Sequence, residues 1–141
     1  MMATIRKLRA QHDQLAEIVV RLRICIGHPQ PPAAVELFAL RKELNAALIG
    51  HLKAEDWVLY PMLLASAEPA IASTARHFMH EMGGLAAAFL VYADKWDAGA
   101  IERDWPDYCR ETQGIIDALS WRIFRENEEL YPLADRERKA A

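Results

Sequence analysis

His51-Leu52-Lys53-Ala54-Glu55-Asp56-Trp57-Val58-Leu59-Tyr60-Pro61-Met62-Leu63 is the stretch on which the reading of this chain turns. A second stretch, Arg122-Ile123-Phe124-Arg125-Glu126-Asn127-Glu128-Glu129-Leu130-Tyr131-Pro132-Leu133-Ala134, repeats its plan. Each has a glutamate at its fifth position, followed by Leu-Tyr-Pro. In the first, His51 and Glu55 are four residues apart, which puts both on one face of a helix, where they can hold one metal ion. In the second, Arg122 stands where the histidine would be. The repetition predicts two related helical hairpins facing each other.

Outward from these stretches, apolar residues recur at helical spacing and no alternating strand pattern appears. A first helix is expected after Thr4 as N-cap, running to about Ile26, where Gly27-His28-Pro29-Gln30-Pro31-Pro32 stops it. A second runs from about Ala33 to Leu64, with Pro61 expected to kink it or tighten its last turn. A third opens at Pro69 and reaches about Trp96; its paired Gly83-Gly84 is read as room for a neighbouring helix or a ligand. The fourth starts near Asp104, with Pro106 in its first turn, and continues to about Asp135 before a charged tail. The fold class is therefore all-α, an up-down-up-down antiparallel four-helix bundle forming a single domain over residues 1–141.

Composition narrows the function. A chain of 141 residues that is 52% hydrophobic can bury a core without disulfides. A net charge of −3 with no basic patch argues against a nucleic-acid binder. Cys25 and Cys109 lack Cys-x-x-Cys spacing and read as reduced thiols. No signal peptide or run of membrane-spanning length is present, so no membrane contact and a cytoplasmic location are expected. No phosphate-binding loop or Ser-His-Asp arrangement points to an enzyme, and none is expected.

Ideal helix geometry turns about 100° per residue, so polar residues can be placed against the apolar stripe. With Leu48 as zero, Glu55 falls at about 20° and His51 at about 60°. With Leu119 as zero, Glu126 and Arg122 take the same two angles, and His12 lies about 60° from Leu15. These five residues are expected to converge inside the bundle. Buried carboxylates and a guanidinium without partners would cost several kcal/mol each, so a metal ion or an ion-pair network must compensate them.

The pattern His12-x-x-Leu15, then His51-x-x-x-Glu55 with Leu59-Tyr60-Pro61, then Glu126 with Leu130-Tyr131-Pro132, resembles the hemerythrin-like (HHE cation-binding) family over about residues 5 to 135. In that family a four-helix bundle holds a non-haem di-iron centre through about five histidines and two bridging carboxylates. Members bind dioxygen, or sense or handle iron, oxygen or nitric oxide. The resemblance implies His12 and His51 as ligands of the first two helices, Glu55 and Glu126 as the bridging carboxylates, and His77 and Glu81 as the third helix's contribution. Arg122 stands at the fourth helix's histidine, and a guanidinium has no lone pair to donate.

The expected metal set is thus His12, His51, Glu55, His77, Glu81 and Glu126, enough for one iron ion and thin for two. His77 lies about 110° from the stripe of Phe78, Met82, Leu85 and Phe89, at its edge. The first reading is a hemerythrin-like protein binding non-haem iron for oxygen, nitric oxide or iron sensing, storage or stress response. Its expected partners are the metal, dioxygen or nitric oxide, and a second copy in a homodimer. The alternative is a metal-free relative serving as an interaction or scaffold module. There Arg122 replaces the cation and offers both glutamates a bidentate partner, or else it snorkels to the bundle edge.

Overall fold

The computed structural model describes residues 2–140, and side chains of residues 4–139. The end residues of the expected domain, Met1 and Ala141, lie outside the described residues. Every regular element described is helical: α1 Met2–Ile26, α2 Ala34–Ala54, a π-helical turn Glu55–Leu59, α3 Tyr60–Leu64, α4 Pro69–Met82, α5 Leu85–Lys95, α6 Ala98–Arg103, α7 Trp105–Arg125, a second π turn Glu126–Leu130, and α8 Tyr131–Ala140. The molecule is all-α. Among the described residues no helix is long and apolar enough to cross a membrane.

Prolines and aspartates set most boundaries. Gly27 N–H closes α1 on the Arg23 carbonyl, 3.1 Å away, before Pro29. Pro69 and Pro106 sit in first turns, where a missing N–H costs nothing. Asp97 caps α6 by accepting from Ala100 N–H at 2.8 Å, and Asp104 caps α7 through Asp107 N–H at 3.2 Å. Helix α6 itself was not expected, and α1 begins ahead of Thr4, which therefore lies inside the helix. The charged C-terminal tail is helical too, tied down by Ser66 Oγ–H donating to Glu137 at 2.5 Å and by Arg136 pairing with Glu68.

The two π turns correct the expectation for Pro61. The turn beneath it widens instead of tightening: Tyr60 N–H bonds the Glu55 carbonyl five residues back, and Tyr131 N–H bonds Glu126 likewise. Proline explains both. Pro61 and Pro132 have no N–H for the carbonyl four residues earlier, and their rings crowd it. The extra residue changes the helical phase. An unbroken helix would put Tyr60 and Tyr131 about 120° off their stripes, yet they are 2% and 0% exposed.

The third helical stretch also breaks, between α4 and α5 at Gly83-Gly84. A Cβ at Gly83 would come within 2.4 Å of the Met79 carbonyl oxygen of its own helix, so glycine is needed for that turn and not for a neighbouring helix. Nothing lies within 4 Å of a Cβ at Gly84.

Two apolar cores result. One gathers Leu15, Leu22, Leu44, Leu48, Phe89, Tyr108, Ile116 and Leu119; the other gathers Leu8, Leu59, Leu63, Ile71, Phe78, Leu130 and Ala134. Along α1, α2 and α7, the buried polar residues fall between the two. His12 follows Leu8 and precedes Leu15; His51 and Glu55 lie between Leu48 and Leu59; Arg122 and Glu126 lie between Leu119 and Leu130. A polar layer is sandwiched by hydrocarbon.

Candidate metal centre

Glu126 organises this layer. Its Oε1 lies 3.0 Å from His12 Nε2 and 3.8 Å from His51 Nε2, while its Oε2 accepts from Arg122 Nε–H at 3.1 Å. One carboxylate therefore has the histidines on one side and the guanidinium on the other. Glu55 is shared similarly. Its Oε1 lies 3.2 Å from His51 Nε2 and accepts from Arg122 Nη2 at 3.0 Å, and its Oε2 accepts the Tyr131 hydroxyl at 2.8 Å. Arg122 spends its last resolved bond on the Met82 carbonyl, at 3.2 Å. That carbonyl ends α4, so it has no helical donor of its own.

Each histidine has its outer nitrogen engaged. His51 Nδ1 is 2.7 Å from Gln11 Oε1, and His12 Nδ1 is 2.8 Å from Asn127 Oδ1. An amide oxygen accepts only, so each Nδ1 carries the proton and turns Nε2 inward. The rings lie 4.6 Å apart, with Tyr131 stacked on His12 at 4.9 Å. One ligand atom from each of His12, His51, Glu55 and Glu126 lies within 4.8 Å of the other three, and all four residues are buried. His51 Nε2 makes no aligned hydrogen bond despite its short approach to Glu55. Lone pairs of two imidazoles and two carboxylates converging this way repel one another unless a proton or a metal ion sits among them.

Electrostatics follow from burial. Burial pushes the His51 pKa down, but Glu126 and Glu55 beside it outweigh burial and hold it up at about 9. Burial and the charge of Glu126 push Glu55 up. Glu126 is driven up by burial and more strongly down by His12, His51 and Arg122, so it stays ionised below the usual carboxylate range. Burial opposes the charge of Arg122, and the two glutamates override it. With His51 protonated, two carboxylates face one guanidinium and one imidazolium.

His77 and Glu81 do not join this layer. They pair with each other at 3.4 Å on the surface, where His77 is 71% exposed, and Glu81 also meets Arg125 at 3.0 Å. The reason is phase: Phe78 and Met82 take the inward positions of α4. The other four expected ligands come together, and Arg122 pairs with both glutamates without snorkelling outward. Sequence reasoning missed Gln11 and Asn127. Their one available signal is position, each an amide next in sequence to a buried polar residue.

The residues fit one metal ion and not two. Two nitrogens and two carboxylates suit a single borderline divalent ion, and His51 Nε2, which has no aligned partner, would offer its lone pair once its proton is displaced. One oxygen of each carboxylate, Glu126 Oε2 and Glu55 Oε1, is already held by a permanent cation. No curated protein and no solved structure matches this chain. The sequence profile of the hemerythrin HHE cation-binding domain matches residues 3–134. Nearly the whole length of the chain is covered, and it belongs to the hemerythrin HHE cation-binding family.

Proposed function

We propose that this protein is a cytoplasmic, single-domain, up-down-up-down four-helix bundle that holds one non-haem iron-type ion. His12, His51, Glu55 and Glu126 would be its ligands. Arg122 would take the place of the second ion in the family's di-iron arrangement. The observation that carries this reading is the split of Glu126, with Oε1 toward the histidines and Oε2 on the guanidinium. Such an ion supplies reversible binding of dioxygen or nitric oxide, which suits a sensor, a store or a stress protein better than an enzyme. The chain's own residues do the rest. Gln11 and Asn127 fix the imidazole orientations, Tyr131 donates to Glu55, and the two apolar cores keep water from the layer.

Elemental analysis after anaerobic loading with Fe(II) and desalting tests it. About one equivalent per chain is expected for the wild type, about two for Arg122→His, and almost none for His51→Ala. Less than about a tenth of an equivalent in the wild type would overturn the reading. The second reading, a metal-free interaction module, is favoured by the closed contacts of Arg122 with Glu55, Glu126 and Met82. Under it the wild type takes up no iron and Arg122→His gains it. A homodimer is proposed under either reading, on the exposed Trp121 and Phe124, stacked 5.8 Å apart.

A further inference from the structure

At the other end of the helices lies a cavity of about 410 Å³. Leu22 and Arg41 line it, each ten residues from His12 and His51 respectively, or about 15 Å along a helix. The cavity is therefore separate from the polar layer and its use is independent of metal.

Its walls are mainly apolar and aromatic, with Leu22 from α1, Leu44 from α2, Phe89 from α5 and Tyr108 from α7. Two basic residues, Arg41 and Lys42, stand in the lining. Arg41 is fixed by donating to the Trp96 carbonyl, and neither basic side chain has a carboxylate partner among the described residues. Glu43 pairs with Arg21 and Glu111 with Lys95, while Glu102 shares an adjoining hollow with Arg41 without pairing with it. Tyr108 is wholly buried, and its hydroxyl makes no aligned hydrogen bond. Its neighbour Tyr92 is satisfied by Thr112 at 2.6 Å. Burial raises the pKa of both phenols while the charge of Arg41 works to lower it, which places that charge near the cavity floor.

A cavity of this size, apolar with a few convergent polar groups, has the ordinary anatomy of a small-molecule site. Two basic side chains without carboxylate partners beside an apolar wall favour an anionic head group. A carboxylate matches the planar guanidinium fork, whereas a dianion would bring a second charge into an apolar lining. We propose that this cavity binds an amphipathic monocarboxylate, its head held by Arg41 and Lys42 and its alkyl or aryl body against Phe38 and Ala93.

Calorimetric titration of the metal-free full chain with octanoate, and separately with 1-octanol, tests this. Octanoate should bind once per chain and about tenfold more tightly than the alcohol, the difference one charge-assisted contact makes. Lys42→Met, on an exposed side chain that cannot disturb the core, should weaken octanoate by several-fold and leave octanol unchanged. Arg41→Met should weaken it by about tenfold. Ala93→Trp, which fills the cavity, should abolish both while the thermal melt stays cooperative. No binding of octanoate to the folded wild type overturns the proposal. So does equal affinity for acid and alcohol, or octanoate binding indifferent to both basic residues.

Discussion

Arg122 sits between two carboxylates that are both fully buried, and its guanidinium touches each of them at about hydrogen-bond distance. Removing it would leave an uncompensated buried charge, at a cost of about 3–5 kcal/mol unless another cation takes its place. Tyr131 plays a smaller part through its donor to Glu55 Oε2. Tyr131→Phe removes that donor and keeps the ring, so urea unfolding should show a loss of about 1–3 kcal/mol; an unchanged midpoint would show that Glu55 is satisfied otherwise. His51 gives the pH dependence. Its folded pKa, about 9, stands above its ordinary 6.5. The imidazolium therefore contributes stability that is complete below 6.5 and lost as pH rises through 9, on the order of 3 kcal/mol in all. Chelator-treated protein should become easier to unfold by urea between those values, and His51→Asn should flatten the slope. Stability that holds steady or rises over that window would contradict the raised pKa. Metal must displace the same proton, so affinity for it should climb over the same interval.

At the scale of elements, the site is placed by irregularities more than by regular helix. His51, Glu55, Arg122 and Glu126 were legible because they precede or open the π turns and still obey the ordinary 100° step. The Tyr-Pro pattern suggests a Tyr131 hydroxyl turned toward the site as readily as one that only packs; the wider turn at Glu126–Leu130 decides it, rotating Tyr131 onto Glu55. The Met82 carbonyl was hidden, since no residue pattern announces a backbone acceptor, and it is free only because α4 stops at Gly83. His77 was misread for the opposite reason: its spacing to Glu81 suits a ligand pair, but Phe78 and Met82 own the inward face. The two glycines make opposite predictions. Gly84 has φ −77° and open space around a Cβ, so Gly84→Ala should stabilise by about 0.5–1 kcal/mol. Gly83→Ala meets the Met79 carbonyl at 2.4 Å, so it should destabilise by about 1–3 kcal/mol in the same urea titration. If both substitutions stabilised alike, the break would be a tolerated accident of sequence and not a constraint.

Over the whole molecule, all-helical architecture was plain from periodicity, and two hydrocarbon cores with a charged layer between them follow from where the stripes are interrupted. The layer's composition was legible and its balance was not, because balance depends on which oxygen faces which cation. Glu126 turns one oxygen to imidazoles and the other to a guanidinium, leaving a place for one further cation. Anomalous scattering from crystals soaked in Co(II) measures that directly. A single peak bounded by His12, His51, Glu55 and Glu126 is expected, with Arg122 still bonded to both glutamates. Two peaks, or none with the two histidines reaching elsewhere, would contradict it.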